Sequence, residues 1–397
     1  IFRKCNFREK QTDIINEPLV GNSVAGLLPT GAGKSVCYQL PALLQPGITI
    51  VVDPLKSLMR DQHDNLLRAG IDTTKFLNSS LSAKERTSAE EIVKNGGVLF
   101  VFVSPERFLI EEFRSTLESL SLPVSYCVID EAHCVSEWGH DFRPAYLHLG
   151  KSARTFCPTK WIGEDGVPSL PVVALTGTAS FDVLSDIKRE LDFGGAVPEV
   201  IPTSFERKEL VFEIEKVPSP VLDNLTDSWS IRNAVYDQKR IALRDLLKRL
   251  PHIFGEHDLK SFYNLKGEDT NSGLIFTPHA KNYFGVESFQ RYIENEIPEL
   301  SGIVGRFASS DESMTEEELE ETQDAYKSNS LGLLVATKAF GMGVDKPNIR
   351  YVVHANFSQS IESYYQEAGR AGRDRKVARC FVLYCDQSAH DPDNSHT

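Results

Sequence analysis

The 397-residue chain has little of what would assign it quickly to a class. It lacks any run near the roughly 18 consecutive apolar residues of a membrane-spanning helix, so no membrane partner is predicted. Its seven cysteines are odd in number and scattered, which predicts free thiols in a reducing intracellular compartment (cytoplasm, nucleoid, or the nucleus of a eukaryote). Basic residues are outnumbered by acidic ones, 43 to 56, so the net charge of −13 confines any nucleic-acid groove to a local patch.

An initiating methionine and a signal peptide are also missing. The chain begins at Ile1, and IFRKCNFREK is too polar for a secretory leader, so we expect a piece of a longer protein. The length exceeds what one hydrophobic core comfortably fills, and two domains are therefore expected.

What the chain does contain is a series of short apolar runs, each followed by turn residues and a helical pattern. The runs are GITIVVDP, GVLFVFVSP, VSYCVIDE and PVVALTGT in the first half, then SGLIFTP, LGLLVATK, IRYVVHANF and ARCFVLYC in the second. Runs rich in Val, Ile and Leu suit strands buried on both faces. Their alternation with helical segments such as 56–70 and 315–330 indicates βαβ units. The predicted fold class is α/β, with two tandem parallel-sheet domains.

The boundary between the domains is expected near Ser204, where Gly, Pro and Ser cluster in GGAVPEVIPTSFERKEL. This places the first domain at 1–204 and the second at 205–387, with a polar tail at 388–397. Between about 218 and 272 the strand rhythm lapses. DQKRIALRDLLKRL predicts an amphipathic helix there, and the residues after it predict a loop-rich insertion, which is a candidate surface for a protein partner.

A glycine-rich turn in LLPTGAGKSVCYQLPALL precedes Lys34, Ser35 and a helical pattern. Such a turn presents backbone N–H groups to phosphates at a helix N-terminus. Lys34 would meet the β- and γ-phosphates, and the Ser35 hydroxyl would hold Mg²⁺. The long form of this motif requires glycine where the chain has Leu28, so the fit is to the shorter GxGK[ST] form. Taken alone, the motif leaves a ligand-free strand–helix turn open.

Two acids, Asp130 and Glu131, follow directly on the apolar run VSYCVI. Mg²⁺ takes few protein carboxylates and keeps several waters, so Asp130 suffices as the acid on the metal side. Glu131 can orient or deprotonate an attacking water. Two acids can also simply begin a solvated loop. Their occurrence after a buried strand, in the same chain as TGAGKS, favours nucleotide hydrolysis.

A zinc site formed by Cys127, His133, Cys134 and His140 is a rival interpretation of the same segment. Cys127 should face the interior of the sheet, and the spacing fits no usual zinc pattern, so nucleotide chemistry is preferred.

Near the C-terminus, YYQEAGRAGRD places Gln366, Arg370 and Arg373 at i, i+4 and i+7, which predicts one face of a helix. Two guanidiniums presented together suit the γ-phosphate in its transition state. The alternative is a solvated basic face, which the flanking glycines disfavour because glycine costs helix stability. With the phosphate loop in one domain and these arginines in the other, the sequence predicts an ATP cleft between the domains.

These motifs, in this order, resemble those of the RecQ-type DNA helicases of helicase superfamily 2, and the resemblance runs from about Phe2 to Tyr384 apart from the insertion. The matching segments are FREKQ (7–11, adenine recognition), PTGAGKSVCYQLPAL (29–43, motif I), VVDPLKSLMRDQ (51–62, motif Ia), VSPERF (103–108, a DNA-contacting motif), DEAHCVSEWGHDFRPAY (130–146, motif II with an aromatic-rich loop), ALTGTAS (174–180, motif III), GLIFTPHAKN (273–282, motif IV), VATKAFGMGVDKPNIRYVVH (335–354, motif V) and SIESYYQEAGRAGRD (360–374, motif VI).

The resemblance implies two RecA-like domains that hydrolyse ATP, with Mg²⁺, to move 3′ to 5′ on single-stranded DNA and to unwind forked DNA. We expect the core to be monomeric. The implied catalytic residues are Lys34, Asp130, Glu131, Gln366, Arg370 and Arg373. The implied nucleotide contacts are Arg8, Gln11, Thr30, Gly31, Ala32, Gly33, Lys34, Ser35 and Asp345, with Mg²⁺ at Ser35 and Asp130. The implied DNA contacts are Ser57, Ser104, Arg107, Trp138, His140, Phe142, Arg143, Thr337 and Lys338.

In this family the loop after DEAH senses single-stranded DNA, a role that Trp138, His140, Phe142 and Arg143 would take here. Aromatic faces stack on bases, at about 1–3 kcal/mol each, without requiring a sequence. The alternative is that Trp138 and Phe142 pack at the domain interface.

The chain departs from the family after motif VI, where a four-cysteine zinc module is common and only Cys380 and Cys385 follow, so no structural zinc is predicted. Two other functions stay open: an RNA helicase of the DEAH kind, which shares the four letters, and a nucleotide-gated clamp on nucleic acid that does not unwind processively.

Overall fold

The computed structural model describes residues 6–29, 31–79, 81–136, 143–163, 166–177, 180–193, 197–221, 227–308, 314–341 and 346–386. The chain folds into two compact units, Ile1–Glu206 and Arg207–Thr397. Each contains a parallel β-sheet with helices packed on it, which confirms the predicted α/β class with two parallel-sheet domains.

In the first unit, the described residues form a seven-stranded sheet in the order β3-β4-β2-β5-β6-β1-β7. Its strands are β1 (Val24–Leu27), β2 (Ile48–Val52), β3 (Thr74–Leu77), β4 (Phe100–Val103), β5 (Val124–Ile129), β6 (Val172–Thr176) and β7 (Glu199–Val200). Its helices are α1 (Gln11–Leu19), α2 (Lys34–Leu44), α3 (Lys56–Arg68), α4 (Ala83–Lys94), α5 (Glu111–Glu118), α6 (Leu149–Phe156) and α7 (Phe181–Glu190).

Strand β5 shows why these runs form a buried sheet. Its side chains alternate, so that Cys127 and Ile129 pack with the core that α4 to α7 cover, whereas Tyr126 and Val128 pack with the core under α1 to α3. All four side chains are fully buried. A strand covered on both faces has no reason to alternate polar with apolar residues, and it therefore reads as one continuous apolar run.

In the second unit, the described residues form a six-stranded parallel sheet in the order β10-β11-β9-β12-β13-β8. Its strands are β8 (Leu210–Lys216), β9 (Ser272–Phe276), β10 (Val304–Phe307), β11 (Leu333–Ala336), β12 (Ile349–His354) and β13 (Ala378–Tyr384). Its helices are α8 (Ser228–Ile253), α9 (Leu259–Tyr263), α10 (Val286–Glu296), α11 (Glu316–Lys327) and α12 (Ile361–Ala368).

The predicted insertion contains more helix than its sequence suggested. The amphipathic stretch 237–250 lies inside α8, which is 26 residues long and begins at a cap where the Asp227 carboxylate accepts the N–H of Ser230. The following segment, predicted as mainly loop, includes α9, whose Phe262 is fully buried in the core of this unit. No helix of the described part of the chain is both long and apolar enough to cross a membrane.

Candidate functional site

The glycine-rich turn lies between β1 and α2 and has the backbone that its glycines allow. Gly31 and Gly33 have positive φ angles of 79° and 88°, and Gly33 is the N-cap residue directly before α2. A side chain at Gly33 would be strained by its φ, and its Cβ would lie 2.8 Å from the Nε2 atom of Gln11. The turn therefore depends on glycine for its conformation and for the close approach of Gln11.

Gln11 and Arg8 bind this turn directly. The Gln11 amide, 4% exposed, donates to the carbonyl oxygens of Ala32 and Gly33 at 3.0 and 3.1 Å, and it accepts the Arg8 N–H at 2.8 Å. The Arg8 guanidinium donates to the carbonyl oxygen of Gly31. The segment predicted to recognise adenine is thus attached to the predicted phosphate loop.

Lys34 meets both predicted acids. Its Nζ atom donates to Glu131 Oε1 at 2.8 Å and lies 3.9 Å from Asp130 Oδ1. The side chains of Lys34 and Glu131 are 15% and 16% exposed, and that of Asp130 is 4% exposed. The structure therefore brings Lys34, in the first turn of α2, to two adjacent acids that follow β5 almost a hundred residues later in the sequence.

Burial and charge act in opposite directions on this cluster. Burial alone would lower the pKa of Lys34, but Glu131 and Asp130 outweigh it and raise the pKa, so the ammonium stays charged. Burial raises the pKa of Asp130 to about 6, although the Lys34 charge opposes this. The positive charge of Lys34 is thus necessary for two carboxylates to be buried together at this site.

The conformation of Glu131 is unusual, because a non-glycine residue here has φ 47° and ψ 47°. Its N–H donates to Asp130 Oδ1 at 2.9 Å, which fixes the turn after β5. His133 Nδ1 lies 3.4 Å from Glu131 Oε2 and 2.8 Å from the Thr176 hydroxyl at the end of β6. Glu131 is therefore linked through His133 to motif III.

Asp53 is a further acid at this edge of the sheet that the sequence interpretation did not select. It follows β2 as Asp130 follows β5, it is 0% exposed, and its Oδ1 accepts the Leu55 N–H at 3.0 Å. Burial and the Asp130 charge raise its pKa well above the usual range. The signal that could have found it is the same as for Asp130, an acid placed directly after a buried run. The sequence likewise predicts His133 only as a ligand of the alternative zinc site, not as a partner of Glu131.

Ser35, the predicted Mg²⁺ ligand, lies in the first turn of α2. Its Oγ accepts a hydrogen bond from Gln62 Nε2 at 3.0 Å, and Gln62 in turn accepts from Gln39 at 3.2 Å. A hydroxyl and the Asp130 carboxylate are oxygen ligands of the kind that Mg²⁺ takes in small number. Among the described residues, no group of three or more His, Cys, Asp or Glu side chains is arranged to hold a metal.

The structure disfavours the alternative zinc site at those of its predicted ligands that it describes. Cys127 and Cys134 are both fully buried in the core that α4 to α7 cover. His133 has its Nδ1 at the Thr176 hydroxyl. His140 lies outside the described residues.

The predicted DNA contacts of the first unit differ in their exposure and in the contacts that they already make within the protein. Ser57 and Ser104 are half-buried, at the starts of α3 and of the turn after β4. Arg107 is 6% exposed, pairs with Glu90, and stacks over the ring of Phe113. This arrangement gives Arg107 a structural role, and its contact with DNA stays a prediction.

Three more predicted DNA contacts lie at loops after strands. Arg143, after the aromatic-rich loop, donates to the carbonyl oxygen of Pro54 at 2.7 Å. Thr337, after β11, is 7% exposed and accepts the Ala339 N–H, whereas Lys338 beside it is exposed.

Five further site residues lie outside the described residues: Thr30, Trp138, His140, Phe142 and Asp345.

The prediction that Gln366, Arg370 and Arg373 share a helix face is wrong. Gln366 is in α12, but α12 ends at Ala368, and both arginines follow in a turn. Gly372 in that turn has φ 61°, a conformation that no α-helix contains. The glycines therefore end the helix rather than interrupt it, and Arg370, 5% exposed, is placed by the turn.

Comparisons with known proteins identify the family to which both units belong. The family of DEAD/DEAH box helicases matches residues 8–187, and the helicase conserved C-terminal domain matches residues 257–375. ATP-dependent DNA helicase Q1 of Mus musculus is 34% identical over 390 residues, covering 97% of this chain and 51% of that protein. ATP-dependent DNA helicase RecQ of Bacillus subtilis is 33% identical over 366 residues, covering 92% of this chain and 51% of that protein. The chain spans about half the length of these relatives.

Solved structures share the fold at low identity. DEAD-box helicase Mss116, bound to ssRNA and UDP-BeF, superposes with a TM-score of 0.74 at 14% identity, covering 98% of this chain and 72% of that one. Helicase Lhr of Mycobacterium smegmatis, bound to ssDNA and AMP-PNP, gives 0.66 at 21% identity, covering 94% of this chain and 45% of that one. Both support RecA-like domains. With the motifs, their geometry and the relatives taken together, the chain belongs to the RecQ family of superfamily 2 helicases, whose helicase core it carries.

Proposed function

We propose that this chain is the ATP-driven core of a DNA helicase, which hydrolyses ATP on single-stranded DNA, moves 3′ to 5′ and separates duplex ahead of it. The observation that carries the proposal is the convergence of Lys34, Asp130 and Glu131 beside a turn built from positive-φ glycines. Two relatives that are 34% and 33% identical to this chain are named ATP-dependent DNA helicases. The core acts as a monomer inside the cell, where its DNA substrate is.

In this proposal the phosphates of ATP lie on the N–H groups of the turn at residues 31–35, with Lys34 at the β- and γ-phosphates. Ser35 and Asp130 would hold Mg²⁺, which neutralises phosphate charge when bound. Glu131 accepts the proton of the attacking water or orients it. Arg370 and Arg373 stabilise the charge on the γ-phosphate in the transition state, with Gln366 beside them.

Adenine recognition is proposed for Gln11, with Arg8, Ala32 and Asp345 completing the nucleotide contacts. DNA contacts are proposed for a set dominated by hydroxyl, aromatic and backbone groups: Ser57, Ser104, Arg107, Trp138, His140, Phe142, Arg143, Thr337 and Lys338. Hydroxyl and backbone N–H groups bind a sugar–phosphate chain without basic charge. This composition is compatible with the net charge of −13.

The segment 218–272 is proposed as a surface for a protein partner. Trp229, in the first turn of α8, is 64% exposed, and Val221 before the helix is 78% exposed. The middle of α8 is different, because Leu243 and Leu246 are fully buried in the domain core. Among the described residues of the segment, the two most exposed large apolar side chains therefore lie at its beginning, and Ile241, in the middle of α8, is exposed to a lesser extent at 39%.

ATPase assays with single-stranded DNA and with RNA of equal length test the nucleic-acid class. We expect stimulation by DNA; stimulation by RNA alone would favour the DEAH-type RNA helicase. Strand displacement on duplexes with a 3′ tail and with blunt ends tests the coupling, and strong ATPase activity without displacement would favour the nucleotide-gated clamp. Lys34→Ala is the inactive control.

A further variant tests the aromatic-rich loop. Trp138→Ala should keep the basal ATPase rate and lose most of the stimulation by DNA, because stacking on bases is worth about 1–3 kcal/mol per aromatic side chain. Stimulation that survives at the wild-type level would remove this loop from the mechanism.

A further inference from the structure

We infer that Arg207 is a positioning residue for the motif VI arginines, and that it acts by fixing the turn 369–372 from outside motif VI. Arg207 is the first residue of the second unit and lies in SFERKEL, a segment to which the proposed function assigns nothing. The inference rests on the proposed roles of Arg370 and Arg373.

The guanidinium of Arg207 donates to three carbonyl oxygens of the turn. Nη1 donates to Gly369 O at 2.5 Å, and Nη2 donates to Ala371 O at 2.9 Å and to Gly372 O at 3.0 Å. These three acceptors flank Arg370 on both sides and end immediately before Arg373. The backbone that carries both arginines is therefore bound to one side chain.

Arg207 is itself held in place. Its side chain is 2% exposed, and its Nε donates to Glu209 Oε1 at 2.9 Å. Glu209 also pairs with Arg375 at 2.7 Å, on the far side of the turn. A planar fork of donors fixed at Nε can satisfy several carbonyl oxygens at once, which a lysine ammonium cannot reproduce.

The backbone of the turn is fixed at a second point. The Gly372 N–H donates to Ile349 O, at the first residue of β12, at 3.0 Å. Gly372 has a positive φ of 61°, and an added Cβ would lie 3.0 Å from Lys376 O and 3.2 Å from Glu209 Cγ. Any side chain at Gly372 therefore disturbs the turn at the place where Arg207 binds it.

A charged group that must meet a transition state is effective only when its position is fixed in advance, and a misplacement of about 1 Å costs on the order of 10²-fold in rate. Without Arg207, the carbonyl oxygens of Gly369 and Ala371 lose the guanidinium that donates to them, whereas Gly372 O keeps the Arg375 N–H at 2.9 Å. The first part of the turn can then rotate toward water. Arg370 and Arg373 would remain present but would no longer be oriented. The loss should appear in the chemical step rather than in the binding of ATP.

The test compares Arg207→Lys and Gly372→Ala with Arg240→Lys. Arg240 is a matched control: it is a 7% exposed arginine of the same unit that donates to Tyr283 O and the Ser288 hydroxyl, away from motif VI. We expect both test variants to lower kcat on the order of 10²-fold while KM changes less than about threefold, and to weaken binding of ADP–aluminium fluoride, a transition-state analogue, without weakening ADP. Arg240→Lys should lower the melting temperature but keep kcat.

Hydrogen exchange of the peptide 369–375 separates this inference from the proposed function. We expect faster exchange in Arg207→Lys than in wild type or Arg240→Lys, whether or not the chain hydrolyses ATP. A wild-type chain without ATPase activity would end the proposed function. Unchanged exchange in Arg207→Lys, or kcat within about threefold of wild type in both test variants, would overturn the role of Arg207. If Arg207→Lys does not fold, Gly372→Ala decides the question by the same measurements.

Discussion

Replacing Glu131 with glutamine separates the catalytic role of this residue from its structural one. Glutamine has the same shape, and its Oε1 can still accept the hydrogen bond that Lys34 now donates at 2.8 Å. It cannot take a proton from water at neutral pH. The change therefore removes the general base and one negative charge, and it leaves the outline of the site intact.

The two effects have different expected sizes. Loss of a positioned general base lowers kcat by on the order of 10²–10⁴-fold, which is about 3–5 kcal/mol in the barrier. The effect on folding is smaller, because Lys34 keeps Asp130 at 3.9 Å as a partner. A hydrogen bond to a charged group is worth about 1.5–3 kcal/mol and becomes a neutral-acceptor bond here, so we expect a loss of about 1 kcal/mol. That corresponds to roughly 2–4 °C in melting temperature.

Steady-state ATPase rates at saturating single-stranded DNA, thermal melts and titration with a fluorescent ATP analogue measure the three quantities. Glu118→Gln is the matched control, because Glu118 is an exposed glutamate at the end of α5 in the same unit. It should leave all three unchanged. A Glu131→Gln chain whose kcat stays within about tenfold of wild type would refute the assignment of Glu131 as base.

Two further predictions follow from backbone strain and from a buried lysine. Gly33→Ala forces alanine to φ 88° with its Cβ 2.8 Å from Gln11 Nε2, and a strain of ~1–3 kcal/mol should lower the affinity for an ATP analogue by about 5- to 150-fold. Gly70→Ala, at φ 83° in open space, should not change this affinity. Lys239, hydrogen-bonded to Asn356, has its pKa lowered by burial from 10.5 to about 8. The folded chain then holds fewer protons than the unfolded one between about pH 8 and pH 10.5, so this lysine makes unfolding costlier as pH rises through that window. Lys239→Met should therefore be more stable than wild type at pH 7, by at most about 3 kcal/mol minus the contribution of the lost hydrogen bond. Urea denaturation should show that this difference in stability becomes smaller by pH 10. A difference that does not change with pH would contradict the assigned cost of burying Lys239.

The buried central strands could be predicted because the apolar character of each strand is visible in its own residues. The runs that became β2, β4, β5, β6, β9, β11, β12 and β13 consist mainly of apolar residues, since both faces are covered. Five strands were missed: β1, β3, β7, β8 and β10. Strand β7 has only two residues, and β8, at the edge of its sheet, exposes Phe212 and Ile214, so its pattern carries no continuous apolar run. The chemistry at Asp130 and Glu131 was likewise predictable, because both follow the buried run of β5 at the carboxyl edge of a parallel sheet. Lys34 was predictable from the glycine-rich turn before it, although β1 was not.

The turn after α12 could not be predicted from its own residues, and the reason is physical. GRAGRD is compatible with a helix whose glycines make room for a ligand and with a helix that ends at Ala368. What decides between them is where the carbonyl oxygens of residues 369–372 find donors. In a continued helix these would be the N–H groups four residues on, but here Arg207, 162 residues before Gly369 in the sequence, donates to the carbonyl oxygens of Gly369, Ala371 and Gly372. A local pattern contains no information about so distant a donor, and the same holds for Glu209, which orients that donor. Sequence motifs therefore identify the arginines, whereas their orientation is a property of the folded domain.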